Sequence, residues 1–596
     1  MFKSIKMLKR CFSTGKQLLG KDAILRALVN NNVDTIFGYS GGAILPAFDS
    51  LHKSKIKYYM NRHEQGCGHS AEGYAKVKGK PGVVMTTSGP GVTNLITPLQ
   101  DSYSDGIPLV VMTGQVPTSA IGTDAFQECP AIELTKPCTK WNYQVQTADE
   151  IEKTINKAFN IAMEGRPGPV HIDLPKNLMM EELSYSNEEF IKKCKVKQKS
   201  SKQGRIKNKY RKDLAHLVNL INRANKPVII AGQGCNDHYE LLRKLSSKAG
   251  IPVTTTLHAL GAFDERDELS LNMLGMHGSA FANYAIQESD LILSFGSRFD
   301  DRTIGTIDGY APKARAAEKN GSGGIFQFEI EKKQVGKTIK TTKTFLGDCG
   351  NYLDYLVSHV EKNYRTDWRK RIKKLKNTHP FTYEKLTDKI KTQQVIEEIS
   401  NQTSYRNDVY ITTGVGNHQM MSAQFYNWTR PKQLLTSGSL GTMGVGVPFA
   451  IGAQIALPEY KLICIDGDGS FNMTLHELGT VAEYNIPVKI AIMNDSRQQM
   501  VYVWQELFFD SNFISTTNTN PDYVMLANSF GIKAIECSKP NDLKESVREF
   551  IDYDGPILAN FVVEPDKCYP LVPPGKNLDE MLLKETGDRL TGIAPN

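Results

Sequence analysis

The sequence predicts an α/β protein of three consecutive domains, each with a mainly parallel sheet flanked by helices. Three observations predict it. Short apolar runs alternate with helically spaced segments along most of the chain, the pattern of strands joined by crossover helices. The stretch from Lys461 to Asp495 reads as strand, tight turn, helix and strand, and two strands so connected pair parallel in a right-handed crossover. Just before it, Val409 to Thr413 runs into Gly414-Val415-Gly416, and Gln433 to Thr436 leads through Gly438 to Gly441-Thr442-Met443-Gly444. Three successive strands thus end in glycine turns on one edge of a sheet, where backbone N–H groups can approach a diphosphate closely.

A length of 596 residues suits three domains. No apolar run reaches the length of a membrane span, so no membrane partner is expected. Ten cysteines lie scattered from Cys11 to Cys568 without a C-x-x-C pair, which fits a reducing compartment and argues against a zinc site or disulfide framework. The formal charge is +8, but residues 1–16 carry five basic groups and residues 192–212 carry eleven, with no acid in either; setting them aside turns +8 into −8. The body is mildly acidic, and no nucleic-acid partner is expected.

In chain order, residues 1–13 are basic, acid-free and apolar at helical intervals (Phe2, Ile5, Leu8), the composition of a mitochondrial transit peptide ending in Arg10-Cys11-Phe12-Ser13. Gly15 to Asp22 nearly spells a P-loop, but Asp22 stands where a Ser or Thr is needed and no strand precedes it. Residues 14–183 form the first domain, with strands at Thr35–Phe37, Lys57–Met60, Val83–Thr86, Leu109–Thr113 and Val170–Leu174. Residues 184–212 are polar, lysine-rich and aperiodic, a linker. The second domain, 213–360, has strands at Pro227–Ala231, Ile251–Thr255, Leu291–Phe295 and Ile325–Ile330; its Gly232-x-Gly234 lacks the third glycine of a dinucleotide fingerprint. A charged connection spans 361–391, the third domain spans 392–570, and 571–596 is a tail.

Asp468 and Asp495 fall at the carboxyl ends of neighbouring strands, where open α/β sheets bind ligands. Two oxygen ligands above a helix start suit a magnesium ion carrying a diphosphate; the plainer reading is a turn whose Asp468 caps the next helix. Glu64, in Arg62-His63-Glu64-Gln65, opens a glycine-rich helix, a place where a carboxylate is often only a favourable end charge. Arg298 and Arg302 follow a strand end, where they could meet phosphate or make surface ion pairs.

Gly467-Asp468-Gly469 with a polar pair some 27 residues on resembles the binding motif of thiamin diphosphate enzymes, and Arg-His-Glu-Gln at 62–65 resembles their activating glutamate segment. GQVPTSAIGTDAFQE at 114–128, GRPGPVHIDLPK at 165–176, GMHG at 275–278, FGSRFDDR at 295–302, SLGTMG at 439–444 and MVYVWQ at 500–505 narrow the resemblance. Together they are similar to the catalytic subunits of the acetohydroxyacid synthase (acetolactate synthase) family over nearly the whole chain.

That resemblance implies pyrimidine-binding, FAD-associated and diphosphate-binding domains in this order. It also implies a homodimer at minimum, with the active site between subunits, and a separate regulatory subunit. Small 2-keto acids would be the substrates: pyruvate is decarboxylated and its two-carbon unit joined to pyruvate or 2-oxobutanoate. Carried onto matching positions, Glu64 would exchange a proton with the cofactor's aminopyrimidine, and Gln115 and Lys176 would line the active site and its entrance. Gly414, Val415, Gly441, Met443, Gly469 and Ser470 would hold thiamin diphosphate, with Met443 wedged between its rings. Asp468, Asp495 and the backbone carbonyl of Arg497 would hold Mg2+. Met500, Val501 and Trp504 would shape the acceptor site, Trp504 favouring the larger acceptor. Met276 and Arg298 would touch FAD, in a structural role.

The chain departs from the family pattern at four places. Ser40 replaces a proline, Asp495 a metal-binding asparagine, Gln499 a glycine and Asn417 a glutamine. Two alternatives stand beside the carboligase reading. One is an FAD-redox sister enzyme of the pyruvate oxidase type, against which Trp504 and the GTDAFQE stretch speak. The other is a non-catalytic paralogue, against which retention of Glu64 and Asp468 speaks.

Overall fold

The computed structural model describes residues 17–52, 54–185 and 206–590. The expected transit peptide and residues 186–205 of the expected linker lie outside them. The first sheet contains β1 (Thr35–Tyr39), β2 (Lys57–Met60), β3 (Gly82–Thr86), β4 (Leu109–Gln115), β5 (Trp141–Gln144) and β6 (Pro169–Pro175). Its order is β2-β1-β3-β4-β6-β5, all parallel. The second contains β7 (Pro227–Ala231), β8 (Val253–Thr255), β9 (Ser270–Met273), β10 (Leu291–Phe295), β11 (Gly324–Glu329) and β12 (Lys343–Leu346). These run parallel in the order β12-β11-β10-β7-β8-β9. The third contains β13 (Ile390–Lys391), β14 (Val409–Thr413), β15 (Leu434–Leu435), β16 (Lys461–Gly467), β17 (Lys489–Asn494), β18 (Lys533–Cys537) and β19 (Ile557–Glu564). Its order is β13-β19-β17-β16-β14-β15, with β18 also on β19, again all parallel.

Parallel sheets are covered on both faces, so their strands read as continuous apolar runs. Accordingly β3, β4, β6, β7, β10 and β11 are buried along their whole length. In each sheet the crossovers leave in opposite directions on either side of one strand pair: β1/β3, β7/β10 and β14/β16. Such a point opens a crevice at the carboxyl ends of the strands. The architecture therefore offers three crevices, one per domain.

Four helices position the site: α1 (Glu64–Lys78), α2 (Ile96–Asp105), α3 (Gly446–Ala456) and α4 (Gln499–Phe508). α3 is buried at every residue except Ile455, as a helix apolar all round must be. It crosses α1, and the two backbones touch. A Cβ on Gly73 would lie 2.2 Å from the Phe449 carbonyl oxygen, and one on Gly452 would lie 1.7 Å from that of Ser70. Glycine is thus required at the crossing that joins the first domain to the third.

Several elements differ from expectation. Between the two strands of the Lys461–Asp495 stretch the expected tight turn and single helix are instead a short helix Asp468–Phe471, a 3₁₀ turn at Leu475–Glu477 and a helix Leu478–Glu483. The break falls where Gly444 packs on Met473 and Thr474, whose hydroxyl donates to the Gly444 carbonyl at 2.7 Å. The end of the expected linker is ordered: helix Arg211–Arg223 begins there, and Tyr210 packs edge-on to Phe345. The charged connection contains helix Thr366–Thr378, whose Trp368, Ile372 and Leu375 join the second domain's core. The expected tail joins it too, through Val572, Leu578, Met581 and Leu583.

Gly452→Val is expected to force α1 and α3 apart, at a cost of at least the about 1–3 kcal/mol typical of overpacking. The measurable outcome is a lower apparent unfolding temperature, with the secondary structure of the folded fraction unchanged by circular dichroism.

Candidate functional site

The third crevice is lined by the turns after β14 and β16. They lie so close that a Cβ on Gly414 would sit 1.9 Å from Asp466 Oδ1 and 2.2 Å from Ser470 Oγ. Ser470 in turn accepts the Gly444 N–H at 2.9 Å, bringing in the 437–444 loop. Gly441 there adopts φ +74°, and a Cβ on it would find only Val415, at 3.9 Å. Gly414, Val415, Gly441, Gly469 and Ser470 are therefore brought together, with half-buried Met443 on the same loop.

Asp468 opens the turn after β16 and Asp495 follows β17, its paired neighbour. Asp468 is buried and its Oδ2 accepts the amides of Asn518 at 3.0 Å and Asn520 at 2.7 Å. Burial pushes the Asp495 carboxyl up to about 8, the Asp468 charge adds to this, and the Arg497 N–H and its side-chain charge oppose it. That N–H donates to Asp495 Oδ1 at 3.1 Å, and Ser496 between them takes the left-handed conformation, φ +56°. Residue 497 makes an isolated bridge with Thr517, which ties the Asp495 loop to the segment carrying Asn518 and Asn520. Two hard oxygen donors on adjacent strand ends form the makings of a site for a small divalent cation.

Two departures from the family pattern meet here. Asn417 and Gln499 both donate side-chain amides to the Asp566 carbonyl, at 3.1 and 3.3 Å. Their amide oxygens are buried without a protein partner.

In the first domain Glu64 is half-buried at the start of α1, and its Oε2 accepts the Asn94 amide at 3.0 Å. The segment before it packs on the third domain at 476–484: Met60 N–H donates to the Tyr484 hydroxyl at 3.0 Å and Arg62 to the Gly479 carbonyl at 3.2 Å. No hydrogen bond among the described residues joins Glu64 to the Asp468 cluster of the same chain. Gln115 and Lys176 sit at the ends of paired strands β4 and β6. Gln115 is buried, donating to the Asp173 carboxylate and the Cys129 carbonyl, both at 3.1 Å, whereas Lys176 is exposed. Met500, Val501 and Trp504 lie on α4, where Trp504 packs edge-on to Phe508.

In the second domain Gly232 and Gly234 follow β7 and Gly296 follows β10. A Cβ on Gly232 would lie 2.1 Å from the Gly296 carbonyl oxygen, so this crevice is lined by backbone. The Arg298 guanidinium donates to the Ser104 carbonyl at 2.9 Å and to Ser439 Oγ at 2.6 Å, holding first and third domains together. The Met276 N–H donates to the Arg302 carbonyl at 2.8 Å, and the Met276 carbonyl accepts the Val572 N–H at 2.8 Å.

Three family models match the chain: the N-terminal TPP-binding domain of thiamine pyrophosphate enzymes over residues 19–134, their central domain over 214–356, and their C-terminal TPP-binding domain over 414–561. The chain is 45% identical over 578 residues to the mitochondrial acetolactate synthase catalytic subunit of Aspergillus candidus, covering 95% of this chain and 83% of that one. It is 45% identical over 581 residues to that of Saccharomyces cerevisiae, covering 95% and 84%. A probable acetolactate synthase large subunit of Methanococcus aeolicus is 38% identical over 582 residues, 94% and 95% of the two chains. The chain belongs to the acetolactate synthase family.

As an acetolactate synthase family member it carries two thiamin diphosphate-binding domains around a central one. Its β14/β16 crevice fits a diphosphate: glycine backbone lines it, and His418 Nε2, 3.3 Å from Asp466 Oδ1, is buried beside it without a hydrogen bond. Sequence reasoning missed Asn518, Asn520, His418 and Asp466. Asn-Thr-Asn-Pro at 518–521 was a visible cluster of turn formers, but only the fold shows that it faces Asp468.

Gly414→Ala is expected to close the β14/β16 crevice, since its methyl group would fall inside the Asp466 and Ser470 contacts. Thiamin diphosphate affinity should drop at least about tenfold, roughly 1.4 kcal/mol, in an equilibrium titration. Unchanged affinity would show that the cofactor does not use this crevice.

Proposed function

We propose that this chain is the catalytic subunit that decarboxylates pyruvate and joins the two-carbon unit to a second 2-keto acid. Pyruvate as acceptor gives 2-acetolactate and 2-oxobutanoate gives 2-aceto-2-hydroxybutanoate, the first common step of valine, leucine and isoleucine biosynthesis. The observation that carries the reading is the β14/β16 crevice, where glycine turns and the Asp468/Asp495 pair converge in a chain of this family. Bound thiamin diphosphate supplies the electron sink for decarboxylation.

The protein's residues bind, orient and move protons. Asp468, Asp495 and the Arg497 carbonyl would hold Mg2+, and the amides of Asn518 and Asn520 fix the Asp468 carboxylate. Gly414, Val415, Gly441, Gly469 and Ser470 would seat the diphosphate, with Met443 shaping the space above it. Glu64 would hold a proton on Oε1, the oxygen that Asn94 leaves free. Gln115 and Lys176 line the approach from the first domain; Met500, Val501 and Trp504 line the acceptor side. The backbone-lined β7/β10 crevice suits a dinucleotide, and FAD would sit there beside Met276 and Arg298 in a structural role.

The segment just before Glu64 meets its own third domain at 477–484, away from Asp468, which supports a homodimer in which Glu64 serves the partner's crevice. Large apolar side chains are exposed on both surfaces such a pairing would cover: Phe126 at 88% in the first domain, Val501 at 51% and Ile514 at 74% in the third. A separate regulatory subunit is a further partner that the family resemblance implies. The fungal relatives are named mitochondrial, and with the basic N-terminal composition this supports a mitochondrial location.

The test is product formation from pyruvate by the purified chain, with and without thiamin diphosphate, Mg2+ and FAD, and with 2-oxobutanoate competing. Cofactor-dependent acetolactate that gives way to acetohydroxybutanoate is expected; oxygen uptake without carboligation would overturn the reading. Glu64→Gln should lower kcat by about 10²–10⁴-fold. Trp504→Leu should move the product ratio toward acetolactate, with cofactor affinity retained.

A further inference from the structure

The loop from Ser437 to Met443 carries residues of the diphosphate crevice, yet it has no regular structure of its own. Its anchors belong to the first domain. α2 presents two buried carboxylates one turn apart, Asp101 and Asp105. Asp105 accepts the N–H groups of Gly438 at 3.1 Å and Ser439 at 2.9 Å. Asp101 Oδ1 accepts the Ser437 hydroxyl at 2.5 Å and the Thr442 hydroxyl at 3.2 Å. Ser437 Oγ then accepts the N–H groups of Gly441 at 3.1 Å and Thr442 at 3.0 Å. The loop's backbone donors thus lead, directly or through one serine, to two side chains of another domain.

We propose that Asp101 is a positioning residue for thiamin diphosphate, setting the placement of Gly441 and Met443 through Ser437 and Thr442, while Asp105 holds the start of the same loop at Gly438 and Ser439. A carboxylate is suited to this because it accepts several donors at once, and charge-assisted bonds are about twice as strong as neutral ones. Burial, with the Glu72 and Asp105 charges adding, pushes the Asp101 carboxyl up to about 7, while the Ser437 donor opposes the rise. The Asp101 carboxyl is therefore costly to bury, and its donors on the loop partly offset that cost. The plain alternative is that these bonds only glue two domains together. The bonds to Gly441 and Thr442 distinguish the two, because domain adhesion needs no ordering of the residues next to Met443. The proposal rests on the cofactor class of the family and not on the carboligation proposed above, so it is read by binding.

The experiment uses the full chain with Mg2+ and titrates thiamin diphosphate into Ser437→Ala, Thr442→Val and Thr442→Ser. Ser437→Ala should raise Kd at least about tenfold and Thr442→Val about three- to tenfold, the range expected for losing hydrogen bonds to a charged group. Thr442→Ser, which keeps the hydroxyl, should stay within about twofold of the parent. Cofactor-free unfolding temperatures should fall by no more than a few degrees, as for one buried hydrogen bond lost, and raising cofactor concentration should restore most of kcat. Unchanged Kd in Ser437→Ala overturns the proposal. Equal weakening in the two Thr442 variants also overturns it, as does a loss of affinity that tracks a loss of thermal stability. If Ser437→Ala fails to fold, the Thr442 pair decides alone.

Discussion

The Asp105 carboxylate is where the three domains meet, and much of the arrangement depends on it. It closes α2 in the first domain, accepts two backbone N–H groups from the third, and lies 3.0 Å from His258 Nε2 of the second, with Lys76 at 3.8 Å. Burial alone would push this carboxyl up; His258 and Lys76 beside it, with the Ser439 donor, hold it well below the usual range. A buried charge is tolerated only when its partners are in place. The relative placement of the domains is therefore tied to one ionised group, and Arg298 reinforces it from the neighbouring Ser104 carbonyl. Docking of the central domain and ordering of the cofactor loop become parts of a single event.

The same construction is used three times with different fillings. Each sheet opens a crevice where its crossovers diverge, and close approach of the flanking turns is set by glycine in all three: Gly41 against Thr87, Gly232 against Gly296, Gly414 against Asp466. Only the third crevice adds a pair of carboxylates at neighbouring strand ends. The second is lined by backbone, which suits a polyanionic cofactor held by N–H groups. The first lends α1 and α2 to its neighbours: Asn94, just before α2, holds Glu64, while Asp101 and Asp105 at its other end hold the 437–442 loop. One short segment thus fixes both Glu64 and the 437–442 loop.

What could be read from sequence follows the same physics. β1, β3, β4, β7, β10, β14, β16 and β17 are apolar because both faces are covered, and each was visible as a run. β5 (WNYQ), β12 (KTFL) and β18 (KAIEC) are edge or flanking strands with polar positions left half-exposed, so they carry no such signal. β19 is central, but Asn560 interrupts its pattern; the fold spends that residue on Asn494 at 3.2 Å and Glu536 at 2.8 Å. Residues 571–583 looked like a tail because their apolar positions are few and irregularly spaced, yet they complete the second domain's core. In the site, motif glycines and acids were legible because their spacing is local. Asp101, Asp105, His418 and Asn520 were not, since each acquires its meaning from a partner on another turn, and the partners of Asp101 and Asp105 lie more than 300 residues away.

The electrostatics of the third crevice bear on how a diphosphate could be held there. The helix starting at Asp468 has four residues, too short to present much of a positive end to an anion. Asp466, Asp468 and Asp495 meanwhile gather three carboxyl groups at the ends of β16 and β17. A diphosphate arriving alone would meet carboxylates rather than a dipole, and glycine N–H groups would be its main attraction. Asp495 sharpens this relative to the asparagine of the family pattern, since burial and the Asp468 charge already disfavour its ionisation. A divalent ion between Asp468 and Asp495 would neutralise the pair and satisfy both carboxylates at once. The carboxamides of Asn518 and Asn520 orient Asp468 without adding charge, so the proposed cation, and not the protein's own donors, would supply the compensation.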